Sequence, residues 1–159
     1  MAIVHTSFPN ELYALLLQDF PENLVMTLFV FSMLNLRLWD KRVIAISSLQ
    51  SVTNLIRLLP IANGLHSIIL LISLVIYTQF FTNKSLSKIF AVVLILFIIA
   101  GGLELTYSGA LLKLTGLSYE TAFANPFLRA GFALPYEIIL LLLSLGKNYY
   151  NNRKGLLTH

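Results

Sequence analysis

Five ionisable residues, Arg57, His66, Glu104, Arg129 and Glu137, lie within or at the edges of long apolar runs in a chain of 159 residues. A charge at membrane depth costs on the order of 3 kcal/mol, so such residues pair with one another or mark a binding site or an ion path. The two arginines suit anchoring of a carboxylate or another anion, and the acids suit partnership with them or contact with a cation. Glu104 is the most demanding, because residues 86–103 ahead of it supply most of a membrane crossing. Arg57 and Arg129 are its obvious partners. Glu137, just after Pro135, also reads as a first-turn acid that complements a helix dipole, and His66 also fits an ordinary interfacial position. A second constellation, Ser47, Gln50, Ser51 and Asn54 leading to Arg57, recurs at spacings of three and four and so makes one polar stripe on a helix. That stripe is either packing glue between helices or the wall of a hydrophilic path.

Other chemistries find little support. The chain has no zinc-protease motif, no phosphate-binding glycine loop and no serine in a nucleophile elbow. Its three histidines, at positions 5, 66 and 159, are too scattered for a transition-metal site. Cysteine is absent, which excludes disulfides, thiolate metal sites and cysteine nucleophiles. Glu104 and Glu137 could divide acid and base roles, but carboxylates beside arginines are more often structural. The expectation is a protein that is not an enzyme and uses no metal or cofactor.

The elements that must position these residues follow from composition. With 57% apolar and 11% charged residues, an ordinary soluble protein is excluded. The expected fold is an all-α polytopic membrane bundle, a single domain over residues 1–150 with a frayed polar cytoplasmic tail over 151–159. Five segments are long enough to span a bilayer: about 23–38, 43–59, 65–81, 86–107 with an extension towards 114, and 132–149. Residues 10–18, with Leu12, Leu15 and Leu16, suit a short helix lying on the interface, and Phe20-Pro21-Glu22 makes a helix start with proline in the first turn. The connection 115–131, with Ser118, Glu120 and Pro126, suggests a short outer helix broken by a turn. Gly101, Gly102 and Gly109 suggest close approach of another helix. The first residues lack the basic region of a cleavable signal peptide, so the first span is expected to serve as the insertion signal.

Orientation comes from the eleven Lys and Arg residues. Arg37, Lys41, Arg42, Lys84, Lys88, Lys147, Arg153 and Lys154 fall in alternate connections, and Arg57, Lys113 and Arg129 fall in the others. Since short cytoplasmic loops carry the basic excess, the amino terminus is expected outside and the carboxyl terminus inside, in the plasma membrane. All five ionisable residues above then converge on the outer leaflet. The net charge of +4 is spread over helix ends rather than along one face, so nucleic acid is not an expected partner and anionic head groups are.

Phe20-Pro21-Glu22 before the first span, and Ile56-Arg57-Leu58-Leu59-Pro60 followed by Gly64 and His66, resemble the membrane input region of Gram-positive sensor histidine kinases of the accessory-gene-regulator and sporulation-phosphotransferase types. Glu104, Thr115-Gly116, Arg129 and Pro135 are similar to the same region. The resemblance implies a sensory membrane domain without phosphorylation chemistry of its own: a stand-alone sensor, a regulator of a separate kinase, or an isolated input domain. The leading expectation is thus recognition of a peptide, lipid or small molecule in an outer-leaflet polar pocket, with a helix shift passed inward. Expected partners are the bilayer, a histidine kinase or another membrane protein, and a second copy of the chain. The rival expectations are a small transport component or substrate-binding subunit, with the stripe of Ser47, Gln50, Ser51 and Asn54 as its route, and a structural scaffold.

Overall fold

The computed structural model describes residues 13, 15–58, 65–118, 121–122 and 125–158, with Arg57, Leu58 and Pro126 described in backbone only. Residues 10–12 and 14 of the expected interfacial segment 10–18, with Leu59, Pro60, Gly64, Glu120 and His159, lie outside the described residues. Among the described residues the secondary structure is helical, with one isolated bridge between Leu36 and Thr158 and no strand. Five α-helices follow in order: α1 Phe20–Met33, α2 Lys41–Thr53, α3 Leu65–Thr82, α4 Leu86–Thr115 and α5 Pro126–Arg153. A π-helical turn, Leu15–Asp19, leads into α1, and a 3-10 turn, Asn54–Leu58, extends α2. Three helices, Leu65–Thr82, Leu86–Thr115 and Phe127–Arg153, are long and apolar enough to cross a membrane.

Several boundaries differ from the sequence expectation for local reasons. Asp19 keeps helical backbone angles and makes no side-chain cap, so the π-turn and α1 form one helical path. The wider turn accommodates Pro21, which lacks an N–H and crowds the carbonyl four residues back. α1 stops at Met33 rather than near Leu38 because Asn35 turns to a φ of 58°. Leu36 N then donates to Phe31 O at 2.8 Å and Asn35 N to Ser32 O at 3.3 Å, the paired bonds that close a helix end around a left-handed residue. α5 begins at Pro126, well before the expected start, because Asn125 caps it by accepting from Phe127 N at 2.9 Å. Pro135 is therefore inside the helix, and Glu137 is not a first-turn acid. In the 115–131 connection, Gly116 ends α4 at a φ of 66°, and Ser118 Oγ accepts from Thr121 N at 3.2 Å.

α1 is the innermost helix, packing most extensively on α5 and α2 and also on α4. Its Phe29, Val30 and Phe31 meet Ile46 of α2, Leu74 of α3, Val93 and Leu96 of α4 and Leu140 of α5 in one apolar core. The outward faces stay apolar: Ile72, Phe80, Ile98 and Leu142 are exposed, as a surface bathed in hydrocarbon would be.

The carboxyl-terminal segment is tied down rather than frayed. Gly155, at a φ of 66°, closes α5 with the same paired bonds, Leu156 N to Asn151 O at 2.9 Å and Gly155 N to Asn152 O at 3.1 Å. Asn151 is fully buried and its Nδ2 donates to Ser32 O at 2.7 Å. Thr158 N donates to Asn35 O at 2.8 Å, and Lys84 Nζ donates to Thr158 Oγ1 at 2.9 Å. These bonds fasten the ends of α1 and α5 to the connection between α3 and α4, at the pole of the bundle that carries most of the basic residues.

Candidate functional site

The opposite pole is polar inside. Gln18, Asp19, Glu22 and Asn23 lie on one face of the helical path into α1, and all four are buried. Spacing of four residues stacks Gln18 over Glu22 and Asp19 over Asn23. Gln18 Nε2 donates to Glu22 Oε2 at 3.4 Å. Tyr136, buried on α5, lies within electrostatic reach of Glu22. Arg129, from the first turn of α5, pairs with Asp19 at 3.8 Å, and both side chains are largely covered.

Two cavities flank this array. One, of about 230 Å³, is walled by Gln18, Glu22, Glu104, Tyr107, Arg129 and Tyr136 among others. The second, of about 350 Å³, lies between α1, α2, α3 and α4 and includes Asn23, Gln50, Asn54 and Ser67 in its wall. Glu22, Glu104 and Tyr136 belong to both walls, so the two cavities adjoin across these three side chains and are together called the chamber. Pro135 cannot donate a backbone hydrogen bond, and one turn before it the Tyr107 hydroxyl donates to Phe132 O at 2.7 Å, fixing α4 to α5 beside the chamber. A Cβ added at Gly101, another wall residue, would meet nothing within 4 Å, and the same holds at Gly102 and Gly109. These glycines border open space rather than a closely packed helix.

The structure brings Glu104 and Arg129 to one cavity and Glu104, Gln50 and Asn54 to the other. Arg129 has Asp19 as its partner rather than Glu104. Glu137 is buried within electrostatic reach of Glu22 but is not on either wall. His66 is half-buried and off both walls, although its neighbour Ser67 is on one. Arg57 sits in the 3-10 turn directly after Asn54, and its side chain is outside the described ones.

The rest of the polar stripe joins helices. Ser47 Oγ donates to Val43 O at 2.8 Å and to Asn23 O at 3.3 Å. Ser51 Oγ accepts from Asn23 Nδ2 at 3.2 Å and donates to Ser47 O at 2.7 Å. Gln50 Nε2 donates to Leu70 O at 2.8 Å, while its Oε1 accepts from Ser73 Oγ at 3.0 Å. These contacts hold α2 against α1 and α3.

Gln18, Asp19, Glu22, Asn23, Tyr107 and Tyr136 were not among the sequence candidates. The repeat of polar residues at 18, 19, 22, 23 and 27 is the signal that would have found the first four. Reading Phe20-Pro21-Glu22 as a helix start cut that repeat in two. No family model, curated protein or solved structure matches the chain.

Proposed function

We propose that this chain is a five-span plasma-membrane sensor that binds a ligand in the polar chamber and passes a helix displacement to the opposite membrane face. The carrying observation is the chamber itself: Glu22, Glu104 and Tyr136 divide polar space inside a bundle whose outer faces are apolar. Intramembrane acids of this kind are expensive and are functional candidates by default.

Five spans are supported by length as well as composition. The helical path from Leu15 to Met33 is about 28 Å long, and α2 with its 3-10 turn is about 29 Å, both close to a hydrocarbon core of about 30 Å. Glu104 lies about 27 Å along α4 from Leu86, which puts it near the far edge of that core. The pole carrying Arg37, Lys41, Arg42, Lys84, Lys88, Lys147, Arg153 and Lys154 then faces the cytoplasm, and the chamber opens towards the outer leaflet.

Connectivity favours sensing. The helical path through the π-turn and α1 carries Gln18 and Glu22 at the chamber and Ser32 at the other pole, where Ser32 and Asn35 of the following turn hold Asn151 and Thr158. A ligand that changes the packing of α1 on α5 would therefore alter how the carboxyl-terminal segment is held, provided it binds the two packings with different affinity. The resemblance to kinase input regions agrees with this direction of signalling and suggests a histidine kinase as the partner. The transport reading is weakened because Ser47 and Ser51, the inner part of the stripe, are engaged in helix contacts.

Mild cross-linking in native membranes, followed by affinity purification and mass spectrometry, tests the proposal. Recovery of a histidine kinase or its associated regulator supports sensing. Recovery of transporter subunits, with solute uptake in vesicles abolished by Arg57→Ala, replaces it with the transport reading.

A further inference from the structure

A groove of about 590 Å³ opens between α1, α2 and α5 on the side of the bundle's basic pole. Leu24 and Leu28 of α1, Ile44 of α2, and Leu141 and Leu145 of α5 form its apolar walls. Its volume is about twenty times the roughly 30 Å³ share of one water, which is room for an alkyl chain. Its depth is read along α1. Leu24 lies nine residues before Met33, the last residue of that helix, which is about 14 Å at 1.5 Å per residue. A hydrocarbon core is about 30 Å thick, so the apolar wall reaches from the pole to about the bilayer midplane, the depth of one leaflet.

The mouth of the groove has different chemistry. Trp39, Asp40 and Lys41, from the turn between α1 and α2, close its polar end. Asp40 adds no net negative charge there, because its carboxylate accepts from Arg42 Nε at 2.8 Å and from Arg42 N at 2.9 Å. Lys41 is exposed and has no ion-pair partner among the described residues, so it supplies the net positive charge of the mouth. Trp39 is 98% exposed. On α5, the spacing of four that stacks Leu145 on Leu141 brings Tyr149 next, also exposed, with the Arg153 guanidinium 5.8 Å from its ring centre. Tryptophan and tyrosine at the end of an apolar span suit the head-group level of a bilayer, and basic side chains beside them attract anionic lipid.

We infer that this groove binds an anionic glycerophospholipid of the leaflet at the basic pole, with one acyl chain along Leu28, Ile44 and Leu145, the phosphate at Lys41, and the Trp39 indole at the level of the glycerol esters. Two observations choose this occupant: the charge complementarity of the mouth and an apolar wall one leaflet deep. The inference rests on the five-span placement proposed above and goes beyond the sensory reading, since it needs no ligand in the chamber. The turn that supplies Trp39 and Lys41 follows Asn35, whose carbonyl accepts from Thr158 N, so the lipid seats beside the residues that anchor the carboxyl-terminal segment.

Trp39 is the only tryptophan in the chain, so its fluorescence reports on the mouth alone. The full chain is reconstituted in phosphatidylcholine nanodiscs doped with phosphatidylglycerol or phosphatidylcholine brominated in the upper acyl chain, and quenching is followed against mole fraction. Brominated phosphatidylglycerol should reach half-quenching at about one-fifth of the mole fraction that brominated phosphatidylcholine needs, the preference expected of one lysine near a lipid surface. Lys41→Gln should abolish this preference and Lys41→Arg should keep it. Lys88→Gln, at the same pole but off the groove, should leave it intact. Leu145→Phe, which narrows the groove with no change of charge, should cut it to about half or less. Equal quenching by the two lipids in wild type shows no selection and overturns the inference. A preference lost equally in Lys41→Gln and Lys88→Gln is the general field of the pole and overturns it too, as does a preference unchanged in Leu145→Phe, which is lipid gathered outside the groove. If neither brominated lipid quenches Trp39, the inference falls and acrylamide separates the causes. A Trp39 shielded from acrylamide is covered by protein, a partner helix or a second copy, and the five spans stand; an accessible one lies in water, and the five-span placement falls as well.

Discussion

Replacing Gln50 by leucine distinguishes packing glue from a polar path. The amide bridges α2 to α3 in both directions, giving to Leu70 O at 2.8 Å and receiving from Ser73 Oγ at 3.0 Å, in a position only 2% exposed. Leucine keeps a side chain of similar size and removes both bonds. Neither partner is stranded by the change: Ser73 Oγ also donates to Leu70 O at 3.0 Å, and that carbonyl lies within a helix. Interhelical hydrogen bonds in membrane proteins average about 0.6 kcal/mol with a ceiling near 1.7, so the loss should be about 1–3 kcal/mol. Ser47→Ala is the internal comparison. Its hydroxyl bonds chiefly within its own turn, to Val43 O at 2.8 Å, and only distantly to Asn23 O at 3.3 Å, so its loss should stay below about 0.5 kcal/mol. Reversible unfolding in bicelles at increasing SDS mole fraction measures both. Equal effects of the two substitutions, or a Gln50→Leu loss above about 4 kcal/mol, would refute the assignment of the stripe to ordinary helix contacts.

Three further outcomes are expected. Asn151→Ala removes the buried bond to Ser32 O; because Asn35 N still reaches that carbonyl, it should cost about 1 kcal/mol and raise hydrogen exchange at residues 34–36 and 154–158, read by mass spectrometry. Single cysteines at Ser85, beside Lys84, and at Ser118, at the chamber pole, should be labelled from outside intact cells only at position 118; the reverse result inverts the orientation. Asp40 accepts from Arg42 N at 2.9 Å and from Arg42 Nε at 2.8 Å, which holds its carboxyl below the usual range. Stabilisation from a depressed carboxylate is present above the unfolded value near pH 3.9 and disappears as pH falls through the folded one. The stability gap between wild type and Asp40→Asn should therefore be under about 1 kcal/mol, given partial exposure, and close between about pH 4 and pH 2.

The long apolar helices α3 and α4 are legible in sequence because hydrocarbon imposes one requirement on every outward position. The start of α5 is less so: Pro126 and Pro135 are both acceptable helix starts, and only the Asn125 cap, through Phe127 N, decides for the first. The end of α1 is hidden for a related reason. Leu34, Leu36 and Leu38 look like helix continuation, yet their apolar side chains are buried against the core from a turn that Asn35 creates. Among site residues, Glu104 was accessible because a charge deep in an apolar run has few bland explanations. Glu22 was absorbed into a helix-start string, and its place beside Gln18 and Asp19 emerges only because the π-turn makes the helical path continuous through Pro21.

That continuity also couples the two ends of α1. A helix that began at Pro21 would leave Gln18 and Asp19 on a separate segment, free to rearrange without moving anything at the other pole. As built, Gln18, Asp19 and Glu22 belong to the same helical path as Ser32, and the path ends in the turn that holds Thr158. Arg129 attaches the chamber end of this path to α5, and Asn151 attaches its other end to the same helix. A sliding or rotation of α1 on α5 must therefore disturb both sets of contacts together. Packed cores favour a few discrete arrangements over continuous deformation, so under the proposed sensory function a change of packing at the chamber would be felt by the residues that anchor the carboxyl-terminal segment.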